Sequence, residues 1–486
     1  MTRLRPPDQR PSLAPFVHGE RVELEGEPVD VVDPSTAETV GQTVDVGASG
    51  VDVAVESAWR GFEAWSAMTY RERAERLLAF ADAYAARGDE FAALEALDAG
   101  KPVAAARAEV DSSADRLRYF AMAARAMEVP NSGNYRGRLL SFARRQPVGV
   151  VGCITPWNYP MGLLAWKIGP ALAAGNSVVV KPAEETPITS LLLAELAAEF
   201  LPPGVFNAVT GLGPTTGDAL VRHPRVPMIS MTGETTTGQT IFAAAARGLK
   251  KLHLELGGPS AVLVLHDADV DRLEAALPMA TFRNSGQDCH ALSRIFVHER
   301  RHEAVAEACA RVADAQRVGA AFDEEADLGP LISARHRERV AGLVEQAAAS
   351  PHVTTLTGGT PPDRPGYFYP ATVLDGVRAD DPIKQTEIFG PVITVTPFRD
   401  EREVVARLND SPFGLSASVW TGDVDRALRV AGALEVGTVW VNDHGQTVTE
   451  MPFGGWKGSG VGRELSIEAI EEHTELKHVA VDVRDA

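Results

Sequence analysis

Cys289 closes the segment Phe282-Arg283-Asn284-Ser285-Gly286-Gln287-Asp288-Cys289, and it is one of only three cysteines in 486 residues. Its neighbours are polar, whereas a cysteine used for packing sits among apolar ones. Upstream, Leu254-Glu255-Leu256-Gly257-Gly258 sets a carboxylate against paired glycines. A thiol attacks carbon as its thiolate, and a carboxylate can draw a proton from a thiol or from water. These two groups could therefore supply a nucleophile and a base, although their separation along the chain does not establish that they meet. Cys153, in an apolar run, and Cys309, in a helical one, read as small buried hydrophobes. Three widely spaced cysteines indicate a reducing compartment, with no disulfide framework and no metal site.

Other strings carry chemistry less specifically. Thr155-Pro156-Trp157-Asn158-Tyr159-Pro160 follows a strand, and Asn158 offers an amide suited to an oxyanion or to capping the next helix. Val178-Val179-Val180-Lys181-Pro182-Ala183-Glu184 runs from a buried strand into a charged loop. Ligands of open α/β sheets gather at such carboxyl ends. There Glu184 could accept the hydroxyls of an adenosine ribose and repel a 2′-phosphate, or simply face solvent. The glycine-rich strings Gly211–Gly217 and Thr232–Gly238 lack the GxGxxG fingerprint. The second opens a helix, where backbone N–H groups suit a pyrophosphate, but Glu234 is an awkward neighbour for an anion. Glu387-Ile388-Phe389-Gly390-Pro391, Asn409–Leu415 and Pro452-Phe453-Gly454-Gly455 read as loops with turn residues.

These residues need a scaffold, and the hydrophobic periodicity describes one. Short strands are expected at 16–19 and 29–34, with helices from Val51 to about Ala126, one of them ended by Gly100-Lys101-Pro102. From Val148 the pattern alternates: strand 148–154, helix 163–174, strand 177–181, helix 189–201, and strands at 205–209 and 228–231. After Glu255 it resumes with strands 261–265 and 294–297 and helices 301–317 and 334–349. Alternating strands and helices imply a parallel α/β sheet. Ser132–Gln146 and Leu476–Val483 read as further strands, able to complete a sheet in a partner subunit.

At this length two to four domains are expected, since single cores rarely exceed ~250–300 residues. The composition, 45% hydrophobic and 23% charged, is that of a folded globular protein. A net charge of −19 argues against nucleic acid or an anionic membrane as partner. The short basic clusters Arg144-Arg145 and His298–His302 read as solvated faces. Met1–Ala14 has no apolar signal core, and no run of about 18 apolar residues exists. The cytoplasm is the expected location.

Taken in order, Glu-Leu-Gly-Gly, Gly-Gln-Asp-Cys and Glu-Ile-Phe-Gly-Pro resemble the NAD(P)-dependent aldehyde dehydrogenase superfamily, and the likeness runs from about residue 16 to 483. Gly-Gln-Asp-Cys, Pro-Trp-Asn-Tyr-Pro and Glu450-Met451-Pro452 are similar to the aminobutyraldehyde and betaine-aldehyde branch. The resemblance implies Cys289 as nucleophile, Glu255 as the base for the deacylating water, and Asn158 as oxyanion donor with the Cys289 N–H. It implies NAD, with NADP also admissible, held by Ile154, Thr155, Pro156, Trp157, Lys181, Glu184, Gly213, Gly233, Glu234, Gly257, Glu387 and Phe389. Tyr159, Trp166, Asp288 and Phe453 would line the aldehyde site, and no metal is implied. The implied fold is α/β, with a Rossmann-type NAD domain at 1–126 and 147–254 behind a disordered tail to about residue 14. A catalytic domain would span 255–445, with the 446–465 loop near the site. An arm at 127–146 and 466–486 would build a homodimer or homotetramer.

Three residues depart from the commonest family pattern: Pro259, where lysine is frequent; Glu234, where serine is frequent; and Asp288. A carboxylate beside the nucleophile raises the thiol pKa. Its expected use is to attract a cationic ω-aminoaldehyde, such as 4-aminobutyraldehyde or betaine aldehyde, helped by Asp443 or Glu450; the alternative is a structural turn residue. Other readings are a general aliphatic, aromatic or semialdehyde dehydrogenase, a CoA-acylating relative, which commonly lacks the base, and a catalytically silent relative. A thiol hydrolase is a further alternative, but no histidine sits in a motif that marks it as the thiol's partner.

Overall fold

Val150–Ile154, Ser177–Lys181 and Met228–Gly233 are short, β-branched and almost wholly buried, the pattern of central strands in a parallel sheet covered on both faces. The computed structural model, which describes residues 4–7, 12–129 and 131–483, places them at the middle of an eight-stranded sheet. Its order is Glu20–Arg21, Phe16–Val17, Phe206–Ala208, Ser177–Lys181, Val150–Ile154, Met228–Gly233, Lys251–Leu256, Gly460–Val461. The five inner strands are parallel. The chain winds one way from Val150–Ile154 and then restarts on its other side at Met228–Gly233. That reversal is a topological switch point, where ligands of such sheets bind.

A second sheet of seven strands runs Thr354–Thr357, Thr372–Asp375, Val392–Phe398, Leu292–His298, Ser260–Val264, Ser416–Trp420, Thr438–Val441. All its pairs are parallel except the first. The fold is therefore α/β with two doubly wound sheets. Helix Pro160–Ala174 is buried along its whole length, packing on helix Val103–Ala126 and on strand Ser177–Lys181. Its position immediately after Asn158 and Tyr159 fixes both residues against the core.

Three expectations change in the structure. Lys251–Leu256 is a strand of the first sheet, with Glu255 opposite Thr232, so a domain boundary before Glu255 would cut an element in two. The helix Ser466–Glu472 packs on Val103–Ala126 and Pro160–Ala174, because Ala469 and Ile470 are buried in the first core. Outside that core lies a three-stranded antiparallel sheet of Ser132–Arg136, Leu139–Pro147 and Thr474–Asp482, exposed or half-buried except at Thr474. The expected strand 132–146 is a hairpin, since Gly137 turns with φ 54°. The expected disordered tail falls partly outside the described residues. Within them, Leu13 is buried and Leu4 packs against the first core. Among the described residues, no helix is long and apolar enough to cross a membrane.

Candidate active site

The Cys289 thiol follows a turn that most residues could not adopt. Asn284, Ser285 and Gly286 follow one another in the left-handed region, at φ 50°, 57° and 70°. A Cβ on Gly286 would lie 2.3 Å from the Gly390 carbonyl oxygen, so glycine alone lets this turn press against the Phe389-Gly390 loop. Asn284 holds its conformation by donating from Nδ2 to the carbonyls of Asn158 (2.8 Å) and Gln287 (3.2 Å). Ser285 donates to the Gly329 carbonyl at 2.8 Å. Cys289 follows, 9% exposed.

Strand Lys251–Leu256 brings Glu255 to this thiol from the other side, with 1% exposure. Neither of its oxygens has a hydrogen-bond partner of ordinary geometry. Burial, then the Glu464 charge, pushes its carboxyl up to about 8, opposed by Lys167 and by the Cys289 thiol. Burial first, then Glu255, Asp288 and Glu387, hold the Cys289 thiol well above its ordinary value. In the resting protein both groups therefore favour their protonated forms. Behind Glu255, Lys167 and Glu464 form a wholly buried ion pair at 2.9 Å.

Asn158 is 3% exposed. Its Nδ2 donates one hydrogen to the Gln287 carbonyl at 3.1 Å, leaving a second N–H, while its Oδ1 has no partner. Next to it, Tyr159 donates from its hydroxyl to Asp288 Oδ2 at 2.7 Å. Arg283 also reaches that oxygen, at 2.8 Å, and donates to the Tyr159 hydroxyl at 3.0 Å. Asp288 Oδ1 accepts from the His290 backbone N–H at 3.1 Å and lies 3.0 Å from His290 Nδ1. Burial alone would raise the Asp288 carboxyl; the His290 and Arg283 charges and the hydrogen bonds outweigh it and hold it well below the usual range. Asp288 is thus a carboxylate whose charge is already matched, not a free counter-charge for a cationic substrate. Asp443 and Glu450, its expected helpers, are both exposed.

Two residues absent from the expected site join it. His290 Nδ1 lies 3.5 Å from Cys289 Sγ, so the histidine that no motif revealed is the next residue in the chain. Phe453 packs edge-on against His290 at 5.7 Å and against Trp166 at 5.4 Å, and Trp440 lies 5.8 Å from His290. Trp166, Phe453 and Trp440 thereby form a row of rings meeting at His290, the neighbour of the thiol, and Tyr159 stands on Asp288 next to it. Arg116 sits 5.4 Å over the Trp166 ring and Arg283 5.3 Å over that of Tyr159. Burial first, with the Arg283 charge adding to it against Glu109, lowers the Arg116 guanidinium from its ordinary value.

The expected cofactor residues gather at the switch point. Ile154 ends its strand, Thr155 is buried with Oγ1 unpartnered, as is Thr232 Oγ1, and Pro156 and Trp157 lead to Asn158. Trp157 meets Phe389 and His336 edge-on, each at 5.3 Å. Lys181 Nζ pairs with Glu184 at 2.9 Å at the end of its strand. Gly213 opens a single π-turn, and a Cβ there would meet nothing within 4 Å. Gly233 ends its strand, and Glu234 takes the N-cap position of helix Thr235–Ala245 without a side-chain capping bond. Glu387 accepts from the Gly258 N–H at 3.0 Å and comes so near Gly257 that a Cβ there would be 2.3 Å from its carboxylate. Burial raises the Glu387 carboxyl to about 7, the Gly258 N–H and Arg339 opposing it and Glu234 adding to it. Orphaned threonine hydroxyls, an open glycine turn and a Lys–Glu pair at one strand end fit a dinucleotide. Pro259, the unexplained substitution, accepts at its carbonyl from the buried Arg294.

The sequence model of the aldehyde dehydrogenase family matches residues 22–479. A phenylacetaldehyde dehydrogenase from Pseudomonas fluorescens is 42% identical over 466 residues, covering 93% of this chain and 92% of its own. A 2-hydroxymuconic semialdehyde dehydrogenase from Pseudomonas sp. (strain CF600) is 38% identical over 483 residues, covering 96% and 98%. The NAD+ complex of an aldehyde dehydrogenase from Bacillus cereus superposes with a TM-score of 0.95 at 37% identity, covering 98% of this chain and 97% of that one.

Proposed function

The chain belongs to the aldehyde dehydrogenase family, and from that premise we propose that it oxidises an aldehyde to the acid, with NAD, through adducts on Cys289. The observation that carries this reading is the buried Cys289 thiol against Glu255, with Asn158 bonded to the Gln287 carbonyl two residues before the thiol. The Cys289 thiolate attacks the carbonyl carbon, and the Asn158 N–H that is not spent on Gln287 meets the oxyanion. NAD, held by residues such as Lys181, Glu184 and Glu387, would supply the hydride acceptor that oxidation of the Cys289 adduct requires. Glu255 then takes a proton from the water that attacks the thioester carbon, the acid departs, and the Cys289 sulfur is released. Retention of this base supports hydrolysis over transfer to CoA. Glu184, paired with Lys181, is placed to accept ribose hydroxyls and so favours NAD over NADP.

For the aldehyde we propose a flat, apolar body, uncharged or bearing a distal carboxylate. The aromatic rings support the first property, and Arg116, over the Trp166 ring, supports the second. A cationic ω-aminoaldehyde would face the Arg116 guanidinium while Asp288 stays bound to Arg283, so that substrate is set aside. Relatives named for phenylacetaldehyde and 2-hydroxymuconic semialdehyde are consistent with this choice. The three-stranded sheet, with Tyr135, Leu476 and Val481 exposed, is the proposed contact of a homodimer or homotetramer.

An aldehyde panel followed by reduced-nicotinamide absorbance with each cofactor tests the reading, with Cys289→Ala as the blank. Phenylacetaldehyde and a carboxylate-bearing semialdehyde should exceed 4-aminobutyraldehyde in kcat/KM. Activity surviving in the blank, or a preference for the amine, would refute the respective part.

A further inference from the structure

Asp288 poses a problem, because a buried carboxylate beside a nucleophilic thiol opposes the thiolate that the reaction needs. Arg283 and Tyr159 occupy its Oδ2, while its Oδ1 faces His290. That histidine is placed between the two reactive neighbours: Nδ1 lies 3.0 Å from Asp288 Oδ1 and 3.5 Å from Cys289 Sγ. An ionised carboxylate accepts only, so the hydrogen belongs on Nδ1. Nε2 has no partner, so no competing bond selects the other tautomer. The ring is held against Trp440 and Phe453, and the His290 carbonyl is bonded to His444 Nε2 at 2.7 Å.

We propose that His290 stabilises the Cys289 thiolate by sharing its one Nδ1–H between Asp288 Oδ1 and the sulfur, with Asp288 acting as the positioning residue that fixes the tautomer. This rests on Cys289 being the nucleophile and adds a residue to its activation. Asp288 thereby changes from a repulsive neighbour into the group that aims a donor. The other charged or titratable groups around the pair are Arg283 in the same turn, Glu255 on strand Lys251–Leu256, and Glu387 and His444 on their loops; Tyr159 acts through Asp288. Glu255 and Glu387 are carboxyls and oppose the thiolate, so His290 is the side chain touching the sulfur that can favour it.

The test is iodoacetamide alkylation of Cys289, followed by peptide mass spectrometry from about pH 6 up to about pH 12, a range that extends well above the ordinary thiol value. It needs no turnover, so it stands or falls separately from the dehydrogenase reading. His290→Leu keeps the volume against Trp440 and Phe453 and removes the donor; His290→Asn restores an N–H near Nδ1. Leucine should move the alkylation midpoint upward and slow the reaction about tenfold near neutrality, with the high-pH plateau preserved. Asparagine should recover most of that loss, and steady-state turnover of the leucine variant should recover at high pH. A leucine variant that melts like wild type and alkylates with an unchanged or lower midpoint would overturn the proposal. If leucine does not fold, asparagine compared with His290→Gln, whose amide is displaced along the chain, decides it: equal midpoints for both would overturn the positioning role.

Discussion

Replacing Glu255 with glutamine should separate the two halves of the reaction. The Glu255 carboxyl, raised to about 8 by burial and the Glu464 charge, is ionised in only about a tenth of molecules at pH 7. If it is the base for thioester hydrolysis, wild-type turnover should climb about tenfold per pH unit below 8 and level above it. Glutamine has no basic form, so acylation should still release one equivalent of NADH per Cys289, followed by a steady rate lower by about 10²–10⁴. Stability should respond with a defined sign. A carboxyl raised in the folded state contributes stability below its unfolded value of 4.5 and loses it as pH rises to 8. That is about 5 kcal/mol across the window, and the glutamine variant should lack this slope. Stopped-flow absorbance at several pH values, with matched melting curves, reads both effects. A steady rate in the variant equal to wild type, or a variant without a burst, would refute the assignment.

Three further outcomes follow from the geometry. Asn158→Ala should lower kcat by about 10²–10³ while barely changing the melting temperature, since the amide's one protein bond is to the Gln287 carbonyl; steady-state kinetics and calorimetry check both. Lys167→Met strands the buried Glu464 carboxylate, from which Lys167 stands 2.9 Å away, and should cost about 3–5 kcal/mol in urea denaturation. Gly286→Ala combines a φ of +70° with a contact of 2.3 Å to the Gly390 oxygen, and should destabilise by at least about 1–3 kcal/mol on the same assay.

The scaffold was legible where one face pattern dominated. Ser177–Lys181 is expected and found with the same ends, because an uninterrupted β-branched run has one solution. Lys251–Leu256 was missed: Lys251, His253 and Glu255 interrupt its leucines, so no apolar run marks it as a strand, yet residues 253–256 are all buried. Its inward polar face serves the site, so local hydrophobicity misdescribes it. Cys289, Glu255 and Asn158 stood out through the order of motifs, but their surroundings did not. Arg283 reaches Asp288 only because Asn284, Ser285 and Gly286 turn through left-handed conformations, which no periodicity encodes. His290 was hidden by adjacency, since a histidine next to a cysteine has no motif and its ring direction depends on Asp288, Trp440 and Phe453.

The most direct measurement is the mass of the protein chain after Glu255→Gln is mixed with phenylacetaldehyde and NAD and quenched in acid. One acyl group should be found on the Cys289 peptide, in step with the NADH burst. NADH formed without that adduct, or an adduct on the Cys153 or Cys309 peptide instead, would contradict covalent oxidation at Cys289 with Glu255 as the hydrolytic base.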